Sequence, residues 1–111
     1  RKELIFYLKV SDVSGEIGRL IDVHREGLLI LSPKKLKKES VYDLKIETPK
    51  KLWEQNLRLI TAKAQCIHVT ASLTRPYWEN GCKFLEMDSL TQLNIELLIN
   101  LFAMPTDSAQ A

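Results

Sequence analysis

The chain has 111 residues, of which 45% are hydrophobic and 27% charged, and its net charge is +2. These values indicate one ordinary globular domain that can bury a core without disulfides or metal. So small a net positive charge does not by itself indicate a nucleic-acid-binding protein.

The first half of the chain predicts four strands. Residues 4–23 alternate apolar and polar side chains on either side of a break at residues 11–16, which contains Ser, Asp and Gly. This pattern is typical of a hairpin. Residues 27–32 form a continuous apolar run, as in a strand that is buried on both faces. Alternation returns at residues 41–47 after a lysine-rich loop. This half therefore predicts an antiparallel β-structure.

The second half predicts two further strands and a helix. Residues 57–71 are long for one regular strand, and their alternation shifts near the middle, which indicates a bulge or bend. Residues 77–87 predict a last strand, with Gly81 marking a bulge or a close approach. Helical spacing then relates five leucines: Leu90, Leu93, Leu97, Leu98 and Leu101. Six or seven short strands followed by one helix predict an antiparallel barrel or sandwich. We expect the leucine face of the helix to pack on an open end of a barrel or on a partner.

The ends of the helix have their own signals. Ser89 and Gln92 fit a capping box, and Asp88 adds negative charge near the first turn. Pro105 ends the helix, and residues 105–111 are predicted to be a disordered tail. The domain is thus expected to span residues 1–104.

Several functional classes leave no trace in the sequence. There is no phosphate-binding glycine loop, no nucleophile elbow and no metal-ligand spacing of histidines, so we expect no catalysis and no metal. Cys66 and Cys82 are predicted to be buried free thiols, with a disulfide or a ligand role as alternatives. Reduced thiols and the lack of a signal-peptide pattern favour a cytoplasmic protein. No stretch is long and apolar enough for a membrane span.

The order of parts, together with "GRLIDVHREGLLILS" and "ENGCKFLEM", resembles a PilZ domain. The resemblance covers residue 1 to about residue 102, and its local matches are the Gly-x-Leu-x-Asp-x-x-x-x-Gly-Leu frame and the Gly-x-x-Phe of residues 81–84. It implies an all-β fold, a six- to seven-stranded antiparallel barrel with one C-terminal α-helix. It also implies a non-catalytic bacterial signalling module whose ligand is cyclic di-GMP.

The family's ligand site combines Arg-x-x-x-Arg before the first strand with Asp/Asn-x-Ser-x-x-Gly at a strand–turn–strand corner. Arginine forks bind phosphate oxygens and stack on guanine, and the corner side chains bond guanine edges. On this chain the resemblance assigns the ligand to six residues: Arg1, Lys2, Asp22, His24, Arg25 and Gly27. Two positions depart from the pattern, because Ile5 replaces the second arginine and His24 replaces the serine. These departures predict weakened or lost binding.

Structural roles compete with the ligand roles at this corner. His24 and Arg25 could be solvated turn residues, and Asp22 could cap the turn through its own backbone. His24 could instead replace the serine by donating to a phosphate or stacking on a base, with Arg25 supplying charge. Gly27 is expected to be structural in either case.

Two other surfaces are candidates for partners. Ile95, Ile99 and Phe102 lie beside the leucine face, and we expect them to contact another domain or protomer. This is the basis of the alternative function, a ligand-independent adaptor of the same fold that acts by protein–protein interaction. The lysine-rich loop at residues 34–38 is either a solvated loop or a weak anion or nucleic-acid site, and no aromatic residues interleave to support nucleic-acid stacking.

Overall fold

The computed structural model describes residues 8–73 and 75–103, with side chains to residue 101. It contains six strands and two helices in these residues. They are β1 (Leu8–Asp12), β2 (Gly15–Val23), β3 (Gly27–Ser32), β4 (Val41–Glu47), α1 (Lys50–Trp53), β5 (Leu59–Ala71), β6 (Trp78–Phe84) and α2 (Ser89–Ala103). The predicted tail at residues 105–111 lies outside the described residues.

The six strands close into one antiparallel barrel in the order β1-β2-β3-β6-β5-β4. Closure gives each of the six strands a hydrogen-bonded neighbour on both sides, although β1 and β4 pair over only two residues each. The predicted barrel and its terminal helix are confirmed, with six strands in the described part of the chain. The short helix α1 lies in the connection between β4 and β5.

The predicted bulge in the long strand is present. The pairing of β5 with β6 shifts register between Cys66 and His68. Cys66 is buried in the core, and Val69 packs against the core. The two residues between them, Ile67 and His68, are both exposed. The bulge therefore places two successive side chains on the outer surface of the barrel.

Helix α2 closes one end of the barrel with a different face from the predicted one. It contacts β2 and β5, which stand on opposite sides of the barrel. Ile95 and Leu98 are 2% and 0% exposed within the core, whereas Leu90 and Leu93 are 66% and 58% exposed. Packing of the leucine face on the barrel is therefore confirmed for Leu98 and wrong for Leu90 and Leu93, whose packing on a partner stays a prediction. Both faces are apolar, and only the position of the helix on the barrel decides which one is covered.

The N-terminus of α2 is capped one residue before the predicted cap. The Thr91 backbone N–H donates to Asp88 Oδ1 at 2.7 Å, and the Gln92 N–H donates to the Asp88 carbonyl at 3.0 Å. This hydrogen bond to Thr91 lowers the pKa of Asp88. The capping box expected at Ser89 and Gln92 is therefore wrong: Asp88 is the capping residue.

A buried asparagine holds the lysine-rich loop across the other end of the barrel. Asn80 is fully buried on β6. Its Oδ1 accepts the Leu36 backbone N–H at 3.0 Å, and its Nδ2 donates to Ser32 Oγ at 2.7 Å and to the Ile30 carbonyl at 3.0 Å. Leu36 itself is buried beneath the loop. These bonds satisfy a polar group in the core and fix the path of residues 33–40.

No helix within the described ranges is long and apolar enough to cross a membrane.

Candidate functional site

The corner between β2 and β3 is a tight turn at the end of the barrel that α2 closes. The His24 backbone N–H donates to the Gly27 carbonyl at 2.9 Å, which closes the turn. The Phe84 N–H donates to the Glu26 carbonyl at 2.8 Å and ties the turn to the end of β6. The corner is thus a fixed backbone scaffold that carries four polar side chains, at residues 22 and 24–26.

Asp22 and His24 both bond locally. Asp22 is half-buried, and its Oδ1 accepts the Val23 backbone N–H at 2.9 Å. His24 is exposed, and its Nδ1 accepts the Glu26 backbone N–H at 3.3 Å. An imidazole that accepts through Nδ1 retains Nε2–H as a donor in its neutral form. His24 therefore supports the turn itself, whereas the Asp22 bond lies within β2, and both side chains keep further hydrogen-bonding capacity.

Arg25 links the corner to the helix. Its Nε donates to Glu96 Oε2 on α2 at 2.5 Å, and the arginine side chain is 79% exposed. A phosphate that used Arg25 would therefore compete with this carboxylate. An exposed ion pair of this kind contributes little to stability, so an anionic ligand would lose little binding free energy by displacing Glu96 from Arg25.

An open groove of about 1010 Å³ adjoins the corner. Its wall is formed by Asp22 and residues 24–27 of the corner, and its floor by the outward-facing parts of β3, β5 and β6. Residues 85–87, which lead into α2, and Gln92 on the helix close its remaining side. A volume of this size lies at the upper end of the range for small-molecule sites.

His68 and Gly81 form part of the floor of the groove. The two residues pair across β5 and β6 beside the bulge. A Cβ atom on Gly81 would lie 2.3 Å from His68 Cε1 and 2.7 Å from His68 Nε2, so the imidazole packs directly on the glycine. His68 is not among the site residues predicted from the sequence, although the shift in alternation at residues 66–69 indicates that this side chain faces outward.

Comparison with known proteins gives one informative match. No family model and no curated protein matches this sequence. A solved structure, the PilZ domain with c-di-GMP of YcgR from Escherichia coli, superposes with a TM-score of 0.68 at 12% sequence identity. The match covers 95% of this chain and 88% of that one. The chain has a PilZ-like fold. At this identity the likeness concerns the fold, and the resemblance found in the sequence is confirmed at that level.

Gly27 has a structural role in the PilZ-like fold of this chain. A Cβ atom there would lie 2.2 Å from the Cys82 carbonyl oxygen, which is part of the neighbouring strand. Backbone cannot move aside as a side chain can, so only glycine fits at this point of the β3–β6 ladder. The glycine allows β3 to begin immediately beside the corner.

The groove is not strongly basic within the described residues. Three carboxylates and two cations line it, namely Asp22, Glu26 and Glu86 against Arg25 and Lys83. A ligand with two phosphates needs more positive charge than this set provides. The predicted basic pair, Arg1 and Lys2, lies outside the described residues, as does Ile5.

The two cysteines meet beneath the groove. Cys66 and Cys82 are register partners on β5 and β6, and both are buried free thiols, as the sequence predicts. Burial raises the pKa of Cys82 to about 12, with the neighbouring Cys66 adding to the effect. Since the thiolate is the reactive form, Cys82 is an apolar part of the core rather than a nucleophile.

The predicted protein-contact residues have separate positions. Ile95 is 2% exposed and lies in the core, so the prediction that it contacts another chain is wrong. Ile99 packs partly against the same core. The side chain of Phe102 lies outside the described residues. The apolar residues that α2 exposes are instead Leu90 and Leu93.

Proposed function

We propose that the groove binds cyclic di-GMP and that the chain is a non-catalytic signalling module. The observation that carries the proposal is the position of the corner. Asp22, His24, Arg25 and Gly27 stand at the wall of an open groove, in a fold shared with a domain whose solved structure contains c-di-GMP. Both the residues and the fold therefore point to the same ligand class.

Each corner residue has a role that its chemistry suits. The remaining lone pairs of the Asp22 carboxylate accept N–H groups of a guanine edge. The Nε2–H of His24 donates to a phosphate or a base, in place of the serine hydroxyl that the family pattern has. Arg25 exchanges Glu96 for a phosphate oxygen. His68 offers a flat imidazole on the floor, on which a base can stack.

The charge of the groove makes the N-terminal pair decisive in this proposal. With three carboxylates against two cations in the described lining, Arg1 and Lys2 must supply the additional positive charge. Because Ile5 removes one arginine of the family pattern, we expect weaker binding than an intact motif gives. Removal of one buried charged partner costs about 2–5 kcal/mol, and about 1.4 kcal/mol is tenfold in affinity.

The test is calorimetric titration of the chain with cyclic di-GMP at low salt. Arg1→Ala and Asp22→Ala should each weaken binding by about tenfold or more, a loss of about 1.4 kcal/mol. The matched control for Asp22 is Asp12→Ala, since Asp12 also accepts a nearby backbone N–H but lies at the other end of the barrel. This control should leave the affinity unchanged.

A gain-of-function variant tests the alignment of the site. Ile5→Arg combined with His24→Ser restores the family pattern and should strengthen binding. If this variant shows no heat with millimolar ligand while it remains folded, the groove is not a cyclic di-GMP site. If binding is seen but the restored variant gains nothing, the assigned roles of residues 5 and 24 are wrong.

The alternative function is a ligand-independent adaptor, and one observation favours it. Leu90 and Leu93 lie on the exposed side of α2, although leucines on a monomer surface are usually scattered. Light scattering over a range of concentrations tests the simplest form, self-association through the helix. Leu93→Asp should then reduce the mass, and a mass that is monomeric at every concentration would exclude this form.

A further inference from the structure

The end of the barrel opposite α2 carries three connections. Strands β1, β3 and β5 run towards this end and β2, β4 and β6 return from it. The β1–β2 turn, the β3–β4 loop and the β5–β6 turn therefore emerge together. The ligand groove adjoins the other end, beside α2. None of the residues that carry the features described next lines that groove.

Two of these connections have apolar residues at their tips. Val13 is 88% exposed in the two-residue turn between Asp12 and Gly15, and Leu73 is 102% exposed in the β5–β6 turn. Asp12 Oδ1 accepts the Ser14 N–H at 2.8 Å and its hydroxyl at 2.6 Å, so the turn is stabilised without help from Val13. Turns favour small or polar residues. Neither tip has a local structural reason to be apolar.

The third connection is basic and held in place. Four lysines of the β3–β4 loop are exposed: Lys34, Lys35, Lys37 and Lys38. Leu36, between them, is buried and bonded to Asn80. Lys35 Nζ lies 4.5 Å from the centre of the Trp78 ring at the start of β6. The loop backbone is thus fixed while its charged groups remain in solvent.

The carboxylates at this end only partly offset these cations. Asp12 is engaged by Ser14, and Glu16 pairs with Arg19 at 2.7 Å. Glu39 is exposed in the same loop as the lysines, and Glu79 on β6 is half-buried. Arg75 adds a further exposed cation in the β5–β6 turn. The outcome is a lysine-rich surface flanked by two protruding apolar side chains.

We propose that this end docks on a lipid bilayer that contains anionic lipids, with Val13 and Leu73 inserted between the headgroups. Anionic lipid attracts clustered lysines, and their aliphatic stems can lie along the interface while the amines stay hydrated. A protein partner fits less well, since lysine is depleted from protein interfaces. Nucleic acid fits less well too, because both protruding tips are aliphatic and offer no ring on which a base can stack. Two tips and a few cations give reversible binding.

Vesicle sedimentation tests the proposal on the whole chain. Phosphatidylcholine vesicles with and without phosphatidylglycerol are compared at low and high salt. Val13→Ser with Leu73→Ser should reduce binding to anionic vesicles at least about tenfold. Lys37→Gln with Lys38→Gln should reduce it about 25-fold, at about fivefold for each lysine. Thermal melts confirm that both variants fold.

Matched controls are available on the opposite end. Leu90→Ser with Leu93→Ser removes two exposed leucines from α2, and Lys50→Gln with Lys51→Gln removes two exposed lysines from α1. Both should bind as the parent does. In a Trp53→Phe background, the emission of Trp78 should also shift to shorter wavelength when anionic vesicles are added.

Each other result overturns the proposal. Absence of binding that depends on anionic lipid excludes a bilayer as the partner. Binding that needs the lysines but not the tips is adsorption without insertion. Equal loss in the control variants means that no particular end is used. Loss of a protein partner in the tip variants, with no vesicle binding, assigns the surface to protein contact instead.

Discussion

Replacement of Asn80 by alanine should destabilise the barrel strongly, because this side chain joins β6 to the β3–β4 loop. The change leaves the buried Leu36 N–H without its acceptor, and removes the donor to Ser32 Oγ and to the Ile30 carbonyl. An orphaned buried donor costs about 1–3 kcal/mol and each other lost bond about 1 kcal/mol. The sum is about 3–5 kcal/mol, a large part of the stability of a small domain.

Urea unfolding measures this loss. The midpoint should fall while the dependence on urea stays the same, since the surface exposed on unfolding is unchanged. Gln65→Ala is the matched control, because Gln65 donates to the Glu39 carbonyl of the same loop from an exposed position. It should change stability by about 0.5 kcal/mol or less. If Asn80→Ala costs under about 1 kcal/mol, the network does not hold the loop as argued.

Three further outcomes follow from local geometry. Gly27→Ala should destabilise the fold by about 1–3 kcal/mol because its Cβ would meet backbone. Gly81→Ala displaces only the His68 ring and should leave the melting temperature nearly unchanged. Equal effects of the two substitutions would contradict this contrast. Cys82, with its pKa raised to about 12 by burial, should resist iodoacetamide at pH 8 until the protein unfolds, and fast labelling of the native chain would contradict its burial. The lowered pKa of Asp88 stabilises the fold above the ordinary pKa of aspartate, and this stabilisation is lost as the pH falls through the lowered value. Melting temperatures of Asp88→Asn should therefore depend less on pH in that range, and an unchanged acid dependence would contradict the cap.

Strand positions were predictable wherever one face of the strand is buried. In β4 the alternation places Leu44 and Ile46 in the core and the charged residues Asp43, Lys45 and Glu47 in solvent, as found. The bulge in β5 was predictable for the same reason, since one extra residue shifts the alternation. Such strands can be predicted locally, because the alternation of apolar and polar side chains within a strand shows which of its faces is buried.

The orientation of α2 was not predictable by the same means. The helix is apolar on two sides, so periodicity indicates a helix without choosing between the face with Ile95 and the face with Leu93. The choice depends on the path of residues 85–88 across the barrel end, which is a tertiary property. His68 was missed for a related reason, because its place beside Gly81 depends on pairing between strands that the sequence alone does not register.

Neighbouring residues of β6 serve the two proposed surfaces separately. Successive side chains of a strand point to opposite faces. Asn80 therefore points inward and fixes the lysine-rich loop, whereas Gly81 faces outward and receives His68 in the groove. A substitution at Gly81 accordingly perturbs the groove without breaking a bond to the loop, and one at Asn80 releases the loop without adding an atom to the groove. Ligand titration and vesicle sedimentation of these two variants should respond in opposite patterns. If both variants lost both activities equally, global unfolding rather than either surface would explain the losses.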